Sequence, residues 1–388
     1  MTARRVCVFT GSRADYGPLT AVLHALHDDP AIDLRVLVSG SHLVPQPEMT
    51  LDAVAADGFP INENVPMLVA SDTPVGVATS FGLGAMGYAG ALERIAPDIV
   101  VLLGDRYEVL AAAVAATFLR IPIAHICGGE VTAGSTDEGM RHAITKLSHL
   151  HFTATAEFSH RVVQLGEDPR RVHTVGSPGL DTVRTTKLLN RAEVSAVLDI
   201  DLGTPTVLVT YHPATADPAA SRAGVKGLLA ALDRLGRGTF VFTGPNADLG
   251  GPTAGEELQQ FVRRRPGRTV LRPSLGQRTY LSLVKQSDVV VGNSSSGLIE
   301  VPALGTPTVN IGSRQEGRPT SESTINCSES AESIFAAIQL ALTPEHRARA
   351  RTGESPYGDG YAAGRILDII KTIPLEKVTK KRFRDLEV

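Results

Sequence analysis

The sequence predicts two doubly wound α/β domains that face each other across a ligand cleft. Short apolar runs rich in β-branched residues alternate with longer runs of helical spacing along the 388-residue chain, as in parallel sheets with crossover helices. The apolar runs are continuous, which is typical of strands covered on both faces. An internal echo, Asp-Ile-Val-Val-Leu-Leu-Gly at 98–104 and Asp-Val-Val-Val-Gly at 288–292, indicates two similar halves.

The same alternation assigns the elements in chain order. In the first half we predict strands at 6–10, 34–39, 99–103, 121–126, 151–154 and 172–175. In the second half we predict strands at 206–211, 239–243, 269–271, 289–291 and 308–311. The clearest helical patterns between them cover 18–27, 107–119, 138–147 and 298–304.

The domain boundaries follow from turn-forming residues. We expect a first domain over 1–180 and a second over 181–360, joined by a linker at 176–181 that is rich in Gly, Ser and Pro. A helix over about 361–375 is expected to pack back on the first domain. Residues 376–388 form a charged tail that we expect to fray.

Composition excludes several classes of protein. The 38 basic and 41 acidic residues give a net charge of −3, so we expect no nucleic-acid and no membrane partner. Cys7, Cys127 and Cys327 lie far apart, without the spacing of a disulfide framework or a Cys-based metal site. The longest mostly apolar stretch that we identify, 109–119, has 11 residues, too few to span a membrane. These features predict a soluble cytoplasmic protein.

Polar residues follow the predicted strands of the first half. The segment 11–17 follows the first strand, and its Arg13 is suited to clamp a phosphate. It lacks the Gly-x-Gly-x-x-Gly fingerprint, so NAD has no support. Asp105 ends a fully apolar strand, which fits either a place beside substrate or a cap on the helix that follows.

Further polar residues lie on the next two loops. Glu130 and Asp137 lie there, and Arg141 and His142 come one turn later. Several carboxylates in one cleft repel each other, which raises the pKa of some of them and suits them to proton transfer. The competing idea, a metal site that includes His125, lacks the usual ligand spacing, so we predict no metal.

The second half contains a candidate nucleotide site. His212 follows the strand at 206–211, and Gly-Asn-Ser-Ser-Ser-Gly at 292–297 precedes a predicted helix that carries Glu300. Small residues before a helix let backbone amides approach a phosphate, and a carboxylate one turn on suits ribose hydroxyls. Plain helix capping is the alternative. We favour the nucleoside-diphosphate site.

Several of these segments together resemble one family. They are 11–17, 104–108, 128–130, 137–144, 293–300 and 312–318, spanning about residues 5 to 320. The chain resembles the UDP-N-acetylglucosamine 2-epimerase family, and more closely its hydrolysing branch, which opens sialic-acid-type biosynthesis. The resemblance implies two Rossmann-like domains in the glycosyltransferase-B arrangement, no cofactor, a nucleotide-sugar substrate and a homo-oligomer, either dimer or tetramer.

The resemblance also implies a reaction and a set of residues. A nucleoside diphosphate leaves C1 while a base takes the C2 proton, and hydration of the resulting 2-acetamidoglucal gives N-acetylmannosamine. The catalytic residues implied are Asp105, Glu130, Asp137 and His212. The nucleotide- and substrate-binding residues implied are Arg13, His42, Arg141, His142, Asn293, Ser294, Ser295, Glu300, Arg314 and Arg318.

Three alternatives stay open at this point. The non-hydrolysing branch of the family has a similar fold but differs around 128–130 and 141–144. A glycosyltransferase of the same architecture would need a pocket for an acceptor. A two-lobed sugar-binding protein would bind without turnover.

Overall fold

The computed structural model describes residues 3–44, 50–71, 73–132, 136–212, 218–244 and 251–385. Contacts within the chain divide it into two compact units. Unit 1 comprises residues 1–130, 137–182 and 357–388, and unit 2 comprises residues 131–136 and 183–356. Each unit is built on one parallel sheet. The predicted fold class, two Rossmann-like α/β domains, is confirmed.

The sheet of unit 1 has seven parallel strands in the order β3-β2-β1-β4-β5-β6-β7. The chain order reverses between β1 and β4, which marks the switch point at which doubly wound sheets bind ligands. The strands are β1 (Arg4–Thr10), β2 (Ile32–Ser39), β3 (Ile61–Val65), β4 (Ile99–Leu103), β5 (Ile123–Ile126), β6 (Leu150–Thr153) and β7 (Val172–Thr174). The helices along the same stretch are α1 (Arg13–Asp28), α2 (Thr50–Ala56), α3 (Pro74–Ile95), α4 (Tyr107–Phe118), α5 (Asp137–Leu147), α6 (Ala156–Gln164) and α7 (Pro178–Thr185).

The sheet of unit 2 repeats the pattern with six parallel strands in the order β10-β9-β8-β11-β12-β13. Its strands are β8 (Thr206–Thr210), β9 (Thr239–Thr243), β10 (Thr269–Arg272), β11 (Val289–Gly292), β12 (Thr308–Ile311) and β13 (Thr324–Cys327). Its helices are α8 (Arg191–Leu198), α9 (Pro218–Leu235), α10 (Gly251–Arg263), α11 (Gly276–Gln286), α12 (Glu300–Ala303), α13 (Ala331–Ala341) and α14 (Pro344–Ala350). A last helix, α15 (Ala362–Thr372), belongs to unit 1.

Each sheet is covered by an apolar cluster on both faces. On β1, Val6 and Val8 enter one cluster while Cys7 and Phe9 enter the other, and all four are at most 1% exposed. Because successive strand residues point to opposite faces, a strand buried on both sides favours apolar residues at nearly every position. This explains the continuous apolar runs in the sequence. The packed sheet in turn gives a rigid support to the loops that follow the strand ends.

The structure differs from the predicted elements at β3, at β13 and at the start of α1, among other places. Strands β3 and β13 were not predicted, because both are short and only partly buried. Helix α1 begins at Arg13 rather than at Pro18, which lies inside the helix. The cause is a capping box, in which the side chains of Ser12 and Asp15 each accept a hydrogen bond from the backbone N–H of the other residue. This box starts the helix five residues before the predicted position.

Helix α3 is more apolar than the sequence analysis allowed. It has 22 residues with a mean hydropathy of 1.3 over its best 18-residue window, so by length and composition alone it could cross a membrane. The stretch 109–119 is therefore not the longest apolar segment. The side chains of Val75 and Met86 on this helix are 76% and 69% exposed.

The predicted linker is helical and buried. Residues from Pro178 onward form α7, and Asp181 is only 3% exposed. Its two carboxylate oxygens accept hydrogen bonds of 2.9 Å from the backbone N–H groups of Ala362 and Ala363, at the start of α15. A residue far away in sequence thus caps α15, whose Ile366 and Ile370 lie in the core of unit 1.

We predict that Asp181→Ala lowers the stability of unit 1 by about 2 kcal/mol, because two buried helix N–H groups lose their acceptor. The matched control is Asp359→Ala, which removes an exposed ion pair with Arg365 on the same helix and should cost less than about 1 kcal/mol. Urea denaturation followed by circular dichroism measures both. Equal losses for the two variants would contradict the capping role of Asp181.

Candidate active site

A buried arginine organises the polar residues of unit 1. The side chain of Arg141 is 1% exposed, and its guanidinium donates to the carboxylate of Asp105, to the backbone carbonyl of Glu130 at 2.9 Å and to the carboxylate of Glu138 at 2.7 Å. Burial opposes the charge on Arg141, but the carboxylates of Asp105, Glu130 and Glu138 outweigh that effect and raise its pKa. The guanidinium therefore stays charged and joins β4, β5 and α5.

Helical spacing on α5 explains why its polar residues converge. Residues three or four apart share one face of a helix, so Asp137 and Glu138 lie on the same side as Arg141 and His142. The ring of His142 lies 3.3 Å from a carboxylate oxygen of Glu138. Asp137, the first residue of the helix, is half-buried. Glu138, which is not among the predicted site residues, is thus the second carboxylate bound to Arg141.

The position of Asp105 depends on the histidine of the neighbouring strand. His125 on β5 is fully buried, and its Nε2 lies 2.8 Å from the carbonyl oxygen of Gly104, the residue before Asp105. Its Nδ1 lies 3.2 Å from the hydroxyl of Thr145. Burial lowers the pKa of His125 to about 3, so the ring is neutral and fixes the turn that ends β4.

Glu130 is held in place by the close approach of two backbones. It is 5% exposed and follows Gly129, which has a φ of +76°. A Cβ at Gly129 would lie 2.3 Å from the carbonyl oxygen of Phe158, so no other residue fits there. The sequence motif at 128–130 therefore reflects a packing constraint as well as the carboxylate.

A second polar network surrounds the start of α1. The carboxylate of Asp15 accepts hydrogen bonds from the backbone N–H groups of Gly11 and Ser12, both at 2.8 Å, and lies 3.3 Å from the hydroxyl of Thr10. That hydroxyl lies 2.9 Å from Nε2 of His42, which is 1% exposed. Burial lowers the pKa of His42. Arg13 lies in the first turn of α1 and is exposed, so this arginine is on a helix rather than on the predicted loop.

Glu108 is a buried acid for which the sequence analysis assigned no role. It lies in the first turn of α4 and is 2% exposed, and it pairs with Arg106 at 3.3 Å. Burial raises its pKa, which the nearby Arg106 only partly opposes. In the sequence, Glu108 is the last residue of the segment 104–108 that carries the family resemblance, at the start of an apolar helix.

In unit 2, Asn293 fixes the backbone of His212. The Asn293 side chain accepts a hydrogen bond from His212 N–H and donates one to His212 C=O, both at 2.7 Å. Asn293 is 3% exposed and His212 is 9% exposed. The neighbouring Gly292 has no room for a side chain, because a Cβ would lie 1.9 Å from the Thr210 carbonyl oxygen. The ends of β8 and β11 are thus locked together.

The predicted phosphate loop is a 3-10 turn rather than the start of a long helix. Residues 295–297 form this turn, and α12 has only four residues. The predicted phosphate site relied on the dipole of a helix over 298–304, and a helix of a single turn has little of that dipole. Ser296 accepts a hydrogen bond of 2.9 Å from the hydroxyl of Tyr280. Ser294, Ser295 and Glu300 are half-buried around the turn.

The two predicted arginines beyond β12 bind backbone segments. Arg314 donates to the carbonyl of Asn293 at 3.0 Å, and Gln315, 3% exposed, donates to the same oxygen at 2.8 Å. Arg318 donates to the Val131 carbonyl at 2.6 Å and to the Thr132 hydroxyl at 3.0 Å. These side chains order the loops of unit 2.

Comparison with solved structures supports the fold. A co-structure of S. aureus MnaA with UDP matches over 98% of this chain and 100% of its own, with a TM-score of 0.80 and 19% identity. The UDP-N-acetylglucosamine 2-epimerase of Methanocaldococcus jannaschii, in complex with UDP-GlcNAc and UDP, matches over 94% and 99% with a TM-score of 0.78 and 19% identity. At these identities the likeness concerns the fold alone.

Three relatives are more similar in sequence. A GDP/UDP-N,N'-diacetylbacillosamine 2-epimerase (hydrolyzing) from Campylobacter jejuni is 35% identical over 84% of this chain and 85% of its own length. A UDP-N,N'-diacetylbacillosamine 2-epimerase (hydrolyzing) from Legionella pneumophila is 34% identical over 96% and 97%. Polysialic acid biosynthesis protein P7 from Escherichia coli is 32% identical over 98% and 97%.

The family model described as UDP-N-acetylglucosamine 2-epimerase matches residues 24–371. This match covers most of both units. It includes every site residue described above except those at positions 10–15. The resemblance stated from the sequence motifs is confirmed, and the chain belongs to the UDP-N-acetylglucosamine 2-epimerase family.

Proposed function

We propose that this protein is a hydrolysing 2-epimerase that converts UDP-N-acetylglucosamine to N-acetylmannosamine and UDP. The observation that carries the proposal is the cluster around Arg141, where a buried cation holds the carboxylate of Asp105 and the backbone of Glu130. Inversion at C2 requires one group to remove a proton and another to return it to the opposite face. A cluster of fixed carboxylates supports that requirement.

The proposed reaction has two steps. In the first, a carboxylate takes the proton from C2, the electron pair forms the C1–C2 double bond, and the C1–O bond to the diphosphate breaks. In the second, the oxygen of water bonds to C1 while a carboxylate takes one of the water protons, and a carboxylic acid returns a proton to C2 on the other face. The products are the free 2-epimeric sugar and the nucleoside diphosphate, and one water is consumed.

The residues divide between two tasks. Asp105, Glu130 and Asp137 handle the protons, and Arg141 holds Asp105 in position. His212 stabilises the departing diphosphate. We assign nucleotide binding to Ser294, Ser295, Glu300 and the exposed Arg13, and sugar contacts to His42 and His142.

The relatives support a second candidate substrate. Two of those described above carry names for N,N'-diacetylbacillosamine nucleotides, one of them with GDP as well as UDP. Both sugars have an acetamido group at C2, so the proposed chemistry is the same for either. The identity of the nucleotide and of the sugar substituents at C4 and C6 is decided by the assay below.

The function is tested by incubating the protein in D₂O with each of four substrates, UDP- or GDP-linked N-acetylglucosamine and N,N'-diacetylbacillosamine. Proton NMR follows the sugar. We expect a free 2-epimeric sugar with deuterium at C2, because the proton passes through carboxylates that exchange with solvent. A nucleotide-linked epimer would indicate the non-hydrolysing reaction. Turnover only with an added acceptor would indicate a glycosyltransferase, and a product that retains hydrogen at C2 would contradict the mechanism.

The catalytic assignment predicts the effect of three isosteric substitutions. Asp105→Asn, Glu130→Gln and Asp137→Asn should each fold normally and lose about 10²-fold or more in turnover, the usual contribution of a positioned acid or base. Steady-state kinetics on the preferred substrate measures the loss.

The matched control for these variants is Glu63→Gln, because Glu63 forms an ion pair on β3 with the largely exposed Arg94. Its turnover should equal that of the unsubstituted protein. If all three carboxamide variants kept the control's rate, proton transfer would have to be reassigned to other residues.

We also propose that the protein is a cytoplasmic homo-oligomer that associates through α3. Val75, Leu83 and Met86 lie on one face of this helix and are 76%, 40% and 69% exposed. No charged residue occurs between positions 74 and 92. An apolar helix face of this kind marks a contact surface, and a second copy of the same uncharged face complements it.

Met86→Glu should convert the oligomer to a monomer, because it places a charge in the buried interface. Light scattering after gel filtration measures the mass. Leu340→Glu, at an equally apolar position that is 51% exposed on α13, is the control and should not dissociate it. A monomeric unsubstituted protein would contradict the proposal, and its sedimentation with lipid vesicles would assign α3 to a membrane instead.

A further inference from the structure

The C-terminal tail of unit 1 is ordered against the end of α5. We call residues 378–384 the tail strap. Val378 is 3% exposed, and Arg171 donates to the carbonyls of Val378 at 2.8 Å and Lys380 at 3.2 Å. At the other end, the N–H of Arg384 donates to the carbonyl of Gly166 at 3.0 Å. The prediction that this tail frays is wrong for these residues, and 386–388 lie outside the described residues.

Lys381, at the centre of the tail strap, caps α5. Its ammonium donates to the carbonyl of Lys146 and, at 2.7 Å, to that of Ser148. The last carbonyls of a helix have no partner within the helix and carry its negative partial charge, so an ammonium is suited to this place. The Lys381 side chain is 19% exposed. Burial lowers its pKa to about 8, so it is charged at neutral pH.

A buried carboxylate fixes the ammonium from the other side. Glu167 is 2% exposed, and its oxygens lie 2.8 Å from Lys381 Nζ, 2.6 Å from Lys146 Nζ and 3.0 Å from Nε2 of His151. Burial alone would raise the pKa of Glu167, but hydrogen bonds from these three partners lower it to about 2. Glu167 is therefore ionised and binds Lys381 firmly.

Packing of an aromatic ring fixes the register of the tail strap. The ring of Phe383 lies 4.8 Å from the ammonium of Lys146. It also covers Gly166, where a Cβ would lie 2.4 Å from the ring. Lys381 is thus held by contacts on both sides of it in sequence, which limits its position to the end of α5.

Helix α5 connects this cap to the site. Arg141 lies five residues before Lys146 on the same helix, about 7.5 Å along its axis at 1.5 Å per residue. A shift of the helix end therefore moves the guanidinium that binds Asp105 and the Glu130 carbonyl. Misplacement of catalytic groups by about 1 Å can cost 10²-fold in rate.

We propose that Lys381 is a positioning residue, which caps α5 from the C-terminal tail and thereby sets the place of Arg141. The expected effect of Lys381 on turnover rests on the function proposed above. The structural part of the proposal, the dependence of α5 and of residues 128–132 on Lys381, is independent of any activity.

The test compares Lys381→Met with Lys381→Arg and with Lys380→Met. Lys380 is the exposed neighbour of Lys381, and its substitution leaves the Lys381 cap intact. Hydrogen exchange measured by mass spectrometry should be at least tenfold faster in Lys381→Met over 141–148 and 128–132. Lys381→Arg and Lys380→Met should exchange like the unsubstituted protein. If Lys381→Met does not fold, Lys381→Gln replaces it, and an intermediate increase is expected.

The kinetic arm uses whichever nucleotide sugar the unsubstituted protein turns over. Lys381→Met should lower kcat about tenfold with KM changed less than twofold, and Lys381→Arg should restore most of the rate. Unchanged exchange in Lys381→Met, or faster exchange with the kcat of Lys380→Met, would overturn the proposal. Absence of turnover in the unsubstituted protein would instead refute the proposed function, and the exchange data would still decide whether Lys381 orders α5 and residues 128–132.

Discussion

The burial of one guanidinium constrains the whole arrangement of unit 1. A charge that is 1% exposed is stable only if its hydrogen-bond donors all find acceptors. Arg141 donates hydrogen bonds to oxygens from three separate segments, the end of β4, the end of β5 and the first turn of α5. None of the three segments can move without leaving a buried donor unpaired, so the same contacts that make the charge tolerable also fix Asp105 and Glu130.

In unit 2 a neutral amide, rather than a buried guanidinium, joins two strand ends. The side chain of Asn293 bridges the ends of β8 and β11 by two hydrogen bonds to the His212 backbone. Arg314 and Gln315 donate hydrogen bonds to the backbone carbonyl of Asn293 itself. In both units the polar groups follow the carboxyl ends of parallel strands, where doubly wound sheets bind their ligands. The strands supply a rigid base, and a few buried polar side chains set the loops upon it.

The sequence was sufficient for what depends on local pattern. Continuous apolar runs predicted the parallel strands, and the residues that directly follow them, such as Asp105 and His212, were identified because strand ends carry function. The capping box of Ser12 and Asp15 marks the start of α1 in the sequence itself, whereas Pro18, used alone, predicts a start five residues too late. Residue motifs, rather than periodicity, gave the family.

The rest depends on contacts between residues far apart in the chain. The Asp181 cap on α15 spans 181 positions, and the Lys381 cap on α5 spans 233 to its Ser148 acceptor. No pattern within either segment marks its partner, since a turn-rich stretch and a basic tail both resemble solvent-exposed chain. The sequence likewise could not show that Glu138 is the second carboxylate bound to Arg141, because that contact depends on how β4, β5 and α5 pack together.

The central claim is that the buried guanidinium of Arg141 sets the catalytic geometry, and chemical rescue of Arg141→Ala tests it most directly. Turnover of this variant should fall about 10²-fold or more, the scale expected when a catalytic group loses its position. Millimolar guanidinium should restore part of the rate by filling the vacated site, whereas ammonium, which lacks the planar fork of donors, should not. A folded Arg141→Ala variant with the turnover of the unsubstituted protein would contradict the account.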